Sequence, residues 1–554
     1  MCGIFAYISK DKKSHIFNHT MTHNNFLKIK NRGPDNTQYK TINNVSLGFH
    51  RLCINDLSDA GNQPMKYKNY YLICNGEIFN HKKLIEKYNF KMNSGSDCEV
   101  ILHLYDYLIN NSSNTNNNTS IIRDLCNELD AEFAFVLYDM KLGKTYIARD
   151  PYGVRPLFIG RTNEYEPEYM DYEDYIFSSE LKGLNDLVQH AEQFTPGYYM
   201  VISNQLNDNG GLLSIKENYH NIIIYKGFKM NEEIVLENLN KIFRNAVYKR
   251  MMSDKEICSL LSGGLDSSLV ASIVSEKLGP NRLKTFAIGI KGSPDLKYAQ
   301  MVADHIQSVH HSIELTEKEF LDAIEEVIIA IESYDTTTVR ASVGNYLVSK
   351  YIRNNTDCKV IFNGDYADEV CGGYKYFKKT KDGKEFHDEC VRLVENIHYF
   401  DCLRSDRSIS NNGLEARVPF ADKTFVNHYL SMDPELRLSY NKIEKCALRK
   451  AFANDNLLPD EVLWRYKEAF SDGVTSETRS WHEIIQEYVD TQISDEYFEN
   501  NKNKYEHNTP VLKESFYYRE IFEKHYGGFD NVIPYFWMPR WCGDMTDPSA
   551  REIE

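Results

Sequence analysis

Residues 260–268 read LLSGGLDSS, two adjacent glycines and three serines set between two apolar stretches. Ahead of the glycines, 256–261 reads as a short buried strand. Behind them, Leu265, Leu269, Ile273 and Leu278 recur at helical spacing until Gly279-Pro280 stops the helix. A glycine-rich turn from strand to helix aims several backbone N–H groups, and the helix N-terminus, at one anion. The loop lacks a Gly-Lys-Ser/Thr ending, so it is not the common loop for γ-phosphate transfer. SGG alone also describes a solvated turn; the flanking strand and helix make this stretch a candidate anion site.

A second reactive group follows the first methionine. Cys2 is small enough to favour removal of Met1, which would leave a thiol and a free α-amino group on one residue. That amine titrates near ~7.7–8.0 and can serve as the thiol's own base. The bland alternative is a small buried residue. Downstream, Asn31-Arg32-Gly33-Pro34-Asp35 is a turn by composition. The stretch 46–54 alternates like a strand and carries Arg51; 70–74 is a strand ending in Asn75-Gly76-Glu77-Ile78-Phe79-Asn80. Gly95 to Glu99 then caps a helix through Val100, Leu104 and Leu108. An amino-acid ligand needs one fixed cation and at least one anion, and Arg can hold a carboxylate bidentately. Arg51 with Glu77 and Asp97 meets that need, unless Arg51 and Asp97 merely pair with each other.

The elements that position these groups fall into two patterns. Strand-like segments dominate to about residue 205, including a hairpin over 131–138 and 144–149. From about 230, helices and strands alternate, which implies a parallel sheet covered by helices. Between them, 204–211 is polar and glycine-rich, and we place a linker over 206–230. The run 110–120 (NNSSNTNNNTS) has nothing to bury and reads as a disordered insertion. A net charge of −16 argues against general nucleic-acid affinity. No apolar run approaches the roughly 20 residues that span a bilayer, so no membrane role is expected. Twelve cysteines without a CxxC pair fit reduced thiols and a cytoplasmic location. His305, His310 and His311 lack ligand spacing, and metal binding by them is not expected.

MCGIF, RGPD, HRL, NGEIFN and GSDCEV occur in that order over residues 1–205 and resemble the N-terminal-nucleophile glutaminase domain of class II amidotransferases. The resemblance implies an αββα sandwich with Cys2 as nucleophile and with Asn75 and the Gly76 N–H as oxyanion hole. Arg51, Leu52, Cys53, Ile54, Asn55, Asn75, Gly76, Glu77 and Asp97 would bind glutamine.

In the second half, the strand 359–363 runs into Gly364-Asp365-Tyr366-Ala367-Asp368-Glu369, putting carboxylates at the sheet's carboxyl edge. LLSGGLDSS, FAIGIKGSPDLK, YDTTTVRAS, ADEVCGGYKYF, GLEARVPF, WRYKEAFSDG and TDPSAR resemble the synthetase domain of glutamine-hydrolysing asparagine synthetases. That family's α/β ATP-pyrophosphatase domain is expected over 231–554. The resemblance implies ATP as substrate, with pyrophosphate on Ser262, Gly263, Gly264, Asp266 and Ser267. It adds adenine beside Leu260 and Ile288, phosphate contacts from Asn363 and Gly364, and Mg²⁺ on Asp266 and Asp368. Lys467 would neutralise charge during catalysis, while Thr337 and Arg340 would lie near aspartate or pyrophosphate. The partners implied are glutamine, aspartate and ATP; a homodimer is implied by the resemblance alone.

One segment departs from the family's Ser-Gly-Glu-Gly-Ala/Ser-Asp-Glu. Asp365 replaces the Glu thought to accept a proton from ammonia, and Tyr366 replaces a Gly. A general base must come within about 2.6–3.2 Å of its proton, directly or through one water, so a shorter side chain bears on rate. Alternatives to the full reaction are a β-lactam synthetase-like cyclase, an ammonia-dependent synthetase with an idle glutaminase half, and a non-enzymatic metabolite sensor. Ammonia would need a shielded passage between the halves.

Overall fold

The computed structural model describes all residues except 11, 112–117, 163–173, 207–211, 223–224, 226, 228–230, 439–442, 468–472, 476–478 and 549–554; the side chains of 12–18, 118–119 and 206 are also outside it. The chain forms two compact units, 1–221 with 526–532, and 222–525 with 533–554.

The first unit holds β1 (Gly3–Ile8), β2 (Asn36–Ile42), β3 (Val45–Arg51), β4 (Met65–Tyr67), β5 (Tyr70–Ile78), β6 (Ala131–Asp139), β7 (Lys144–Arg149), β8 (Phe158–Thr162), β9 (Asp174–Ser178), β10 (Ala191–Gln193), β11 (Tyr198–Leu206) and β12 (Leu212–Asn218). They make two six-stranded sheets, ordered β10-β8-β9-β1-β3-β2 and β12-β11-β7-β6-β5-β4. Alternation along the strands gives each sheet two apolar faces. Ile4, Ala6 and Ile8 of β1 share one core with Ile73 of β5 and Val136 of β6, so the sheets face each other. Leu72, Phe135 and Leu137 point the other way, onto the helices Val100–Asn111 and Asn118–Glu128. On the outer face of the first sheet, Phe26 of the helix Lys12–Leu27 meets Phe5 and stacks on His50. This is the αββα sandwich.

Three expectations change. Asn75, Gly76 and Glu77 lie inside β5 rather than after it, because the strand pairs with β6 as far as Ile78. Asn110 and Asn111 end one helix, and residues 118–120 begin the next; the centre of the expected insertion, 112–117, lies outside the described residues. The stretch assigned to a linker contains β12, which pairs with β11 and so belongs to the first unit's sheet.

The second unit is built on β13 (Ile257–Leu260), β14 (Lys284–Ile290), β15 (Val309–Leu315), β16 (Val360–Phe362) and β17 (Glu415–Arg417), all parallel, in the order β15-β14-β13-β16-β17. The chain steps outward from β13 to β15, then returns to β16 on β13's other side. The crevice beyond the carboxyl ends of β13 and β16 is therefore a topological switch point, where ligands bind in open α/β sheets. The loop 261–264 and the turn 363–366 both leave from it. The helix Leu265–Leu278 follows the loop, and the helix Thr336–Asn355 begins at an Asp335 cap that accepts from the Thr338 N–H at 2.9 Å.

Candidate active sites

In the first unit, the Leu52 N–H donates to Cys2 Sγ at 3.5 Å, and the Leu52 carbonyl lies 3.8 Å from that sulfur. Pairing of Gly3 with His50 brings the loop leaving β3 to this position. Arg51 braces the loop. Its Nη1 donates to the Ser58 carbonyl (2.7 Å) and Asn62 Oδ1 (2.8 Å), and its Nη2 to the carbonyls of Asn55 (3.4 Å) and Asp56. The cation expected to face a ligand carboxylate thus holds its own loop. Leu52 and Ile54 are buried, while the Cys53 N–H donates to Asp35 Oδ2 at 2.8 Å, tying the loop to the RGPD turn.

Asn55 Nδ2 donates to Glu77 Oε2 (2.6 Å) and Asp97 Oδ1 (3.3 Å); Asp97 Oδ2 accepts from the Ile78 N–H at 2.6 Å. Two buried carboxylates converge on one amide nitrogen, an arrangement suited to an ammonium. On β5, Asn75 Nδ2 is buried and has no hydrogen-bond partner among the described residues. Such a donor is costly unless a ligand uses it. Gln63 holds the adjoining backbone, accepting from the Cys74 N–H at 2.6 Å and donating to the Cys74 carbonyl at 3.2 Å. A Cβ at Gly76 would come within 2.6 Å of the Glu132 carbonyl, so only glycine fits.

In the second unit, an open cavity gathers stretches far apart in sequence. Leu260, Phe286, Ile288 and Val348 line its apolar part. Ser262, Gly264, Asp266 and Ser267 line the loop, with Ser262 Oγ and Ser267 Oγ 2.9 Å apart. Gly263 has φ +73°, and a Cβ there would sit 2.4 Å from Tyr298 Cβ. A Cβ on Gly364 would sit 2.5 Å from the Ser267 nitrogen, so the turn after β16 lies directly on the helix N-terminus. Asn363 Nδ2 donates to Asp365 Oδ2 at 2.8 Å, and Arg404 Nη2 donates to Asp365 Oδ1 at 2.9 Å. Tyr366, with left-handed backbone at φ +76°, is buried and donates from its Oη to Cys402 Sγ at 2.9 Å.

The two acids expected to hold a metal are linked by Lys445, whose Nζ contacts Asp266 Oδ2 and Asp368 Oδ1; Lys467 Nζ donates to Asp368 Oδ2 at 2.6 Å. Burial opposes the Lys445 charge, but Asp266 and Asp368 outweigh it and raise its pKa. Burial would likewise raise Asp368, yet Lys445 and Lys467 hold it below the usual carboxylate range. Asp266 Oδ1 is buried and has no hydrogen-bond partner among the described residues, which leaves one hard oxygen for a cation.

Thr337 lines the cavity, whereas Arg340 does not. Its guanidinium grips Glu514 (Nε–Oε1 2.8 Å, Nη2–Oε2 2.6 Å) and Asp547 (both contacts 2.9 Å). Two carboxylates saturate it, so the expected contact with aspartate or pyrophosphate is replaced by a structural one. Lys445, Glu369, Tyr374 and Arg404 line the cavity without having been singled out in the sequence. A lone Lys in left-handed backbone carries no spacing signal. For Glu369, the signal was its place directly after Asp368.

Family models match the chain as asparagine synthase over residues 238–385 and 378–541, and as a glutamine amidotransferase domain over 1–206. The chain is 43% identical to the glutamine-hydrolysing asparagine synthetases of Pongo abelii and Homo sapiens, and 42% identical to that of Gallus gallus. Each alignment covers 100% of this chain; the coverage is 98% of the first two relatives and 99% of the third.

Proposed function

The chain belongs to the glutamine-hydrolysing asparagine synthetases and makes L-asparagine from L-aspartate, ATP and glutamine, and we propose that Cys2 and the SGGLDSS cavity divide this work. The observation that carries the proposal is the cavity, which joins the glycine loop, Asp368 and Lys467 from three separated stretches.

In the first unit, the Cys2 thiolate attacks the glutamine amide carbon, its proton passing to the α-amino group exposed by loss of Met1. The oxyanion is received by Asn75 Nδ2 and the Gly76 N–H; as it collapses, the α-ammonium of Cys2 gives its proton to the departing nitrogen, which leaves as ammonia, and water then releases glutamate from the thioester. Arg51 and the loop Leu52, Cys53, Ile54 and Asn55 frame the substrate α-carboxylate, with Glu77 and Asp97 opposite its α-ammonium.

In the second unit, adenine lies against Leu260 and Ile288, and the phosphates over Ser262, Gly263, Gly264 and Ser267, with Asn363 and Gly364 beside them. The aspartate β-carboxylate attacks the α-phosphorus and pyrophosphate leaves, with Lys467 stabilising the charge. Ammonia then attacks the β-carbonyl of the aspartyl adenylate. Asp365, aligned by Arg404, is our candidate to accept the proton as AMP departs. Asp266 and Asp368 would hold Mg²⁺, which supplies charge neutralisation for phosphate oxygens.

Twelve free thiols support a reducing, cytosolic setting. Among the described residues, no helix is long and apolar enough to cross a membrane. The family supports a homodimer, which light scattering tests against the 64.5 kDa chain. The division of labour is tested with Cys2→Ala. Glutamine-supported synthesis should vanish while ammonia-supported synthesis persists; loss of both would defeat the proposal.

A further inference from the structure

In an antiparallel strand, alternate residues direct their N–H and C=O groups to opposite neighbours. At the end of β5, the Phe79 N–H donates to the Asp130 carbonyl at 2.9 Å, just ahead of β6. Glu77 and Asn75, in step with Phe79, therefore bond β6, while Cys74, Gly76 and Ile78 turn their backbone groups to the other side. There β4 reaches only as far as the pairing of Met65 with Leu72. Beyond Leu72, β5 has an open edge.

Side chains complete this edge. Continuing the β4 register, in which Tyr67 pairs with Tyr70 and Met65 with Leu72, puts Gln63 opposite Cys74. The Gln63 carboxamide fills that place, accepting from the Cys74 N–H at 2.6 Å and donating to the Cys74 carbonyl at 3.2 Å. A carboxamide offers a donor and an acceptor as a peptide group does, so Gln63 extends the ladder by one pair. Further along, the Cys98 thiol donates to the Gly76 carbonyl at 3.5 Å, Asp97 Oδ2 accepts from the Ile78 N–H at 2.6 Å, and His81 Nδ1 lies 2.9 Å from the Ile78 carbonyl. Among the described residues, the Gly76 N–H is the group of this edge left without such a partner. Gln63, Cys74 and Asn75 are all buried, so removing the carboxamide strands two backbone groups away from water.

We propose that Gln63 is a positioning residue for glutamine hydrolysis. Its carboxamide fixes the Cys74–Asn75 peptide and so aims Asn75 Nδ2 and the Gly76 N–H at the oxyanion. The inference rests on the oxyanion hole proposed above. Its effect falls on the transition state rather than on bound glutamine, because the negative charge develops only after Cys2 attacks.

The test is glutamine hydrolysis by the full-length protein, with kcat and KM read separately, beside asparagine synthesis from ammonium. Gln63→Met keeps a similar volume and loses both hydrogen bonds. Its kcat should fall about 10- to 100-fold, the cost of a misaimed group, with the glutamine KM and ammonium-supported synthesis within about threefold of the parent. In an Asn75→Ala background the same substitution should cost less than about half that factor, because one of the donors it aims is already gone. Gln63→Glu keeps the acceptor and loses the donor, and should lower kcat with the same unchanged KM; it decides if Gln63→Met does not fold. A kcat within about threefold of the parent, a KM rising in step with the loss, or the full factor again in the Asn75→Ala background would overturn the assignment. Failure of both variants to fold would also overturn it, making Gln63 a structural residue only. A parent protein that hydrolyses no glutamine would instead overturn the function proposed above, and the assignment with it.

Discussion

Replacing Asn75 by Ala deletes a donor that the folded protein leaves unused. Its Nδ2 is buried with no hydrogen-bond partner among the described residues, on a strand whose neighbouring backbone is fixed by Gln63. An oxyanion-hole donor of this kind contributes about 2.7–4 kcal/mol to the transition state, so kcat for glutamine hydrolysis should fall about 10²- to 10³-fold. KM for glutamine should change little, because the negative charge exists only after attack. Stability should move the other way or not at all. An unsatisfied buried donor costs about 1–3 kcal/mol, and its removal returns part of that against the lost packing of a small side chain. The assay is glutamate release, beside asparagine formation from ammonium and a thermal melt. A kcat within about threefold of the parent would refute the oxyanion assignment, as would ammonia-supported synthesis falling as far as hydrolysis.

Gly263→Ala puts a methyl 2.4 Å from Tyr298 Cβ at φ +73°, so ATP–pyrophosphate exchange should drop at least about tenfold while glutamine hydrolysis survives. Arg340→Met strands Glu514 and Asp547 without their cation and should cost about 3–5 kcal/mol in denaturant unfolding. A selective rise in aspartate KM with no loss of stability would instead return Arg340 to the ligand. His50 is buried, with Nε2 on the Phe26 carbonyl and Nδ1 on Thr37 Oγ1, and its pKa is lowered to about 4, chiefly by burial. The unfolded chain binds a proton there below about 6.5 that the folded chain refuses until about 4. Stability from this group is therefore full above pH 6.5 and is lost as pH falls towards 4, by about 3 kcal/mol. His50→Gln should flatten the melting temperature against pH over that window; an unchanged slope would show that another group sets it.

What was legible in the sequence was whatever a strand, a turn or a glycine imposes locally. The glycine loop, its strand and its helix were readable because apolar spacing and a positive-φ glycine leave few alternatives. The strand over 70–74 ends too early in the sequence reading, before Asn75; pairing with β6 carries it on through Gly76 to Ile78. β12 was lost because its outer strand is largely exposed and polar, which reads like a linker. Arg340 was misplaced for a different reason. A cation beside threonines suggests an anion ligand, but its real partners, Glu514 and Asp547, lie more than 170 residues downstream. Lys445, Glu369 and Arg404 share that difficulty: their grouping comes from the sheet's crossover order, not from spacing along the chain.

The account centres on nitrogen taken from glutamine at Cys2 and placed on an aspartate activated at the SGGLDSS loop. Incubation with aspartate, ATP–Mg²⁺ and amide-¹⁵N glutamine, followed by product analysis, tests it most directly. The account predicts ¹⁵N in the asparagine amide, with AMP and pyrophosphate formed one for one with asparagine. ADP in place of AMP, or asparagine without label, would contradict it.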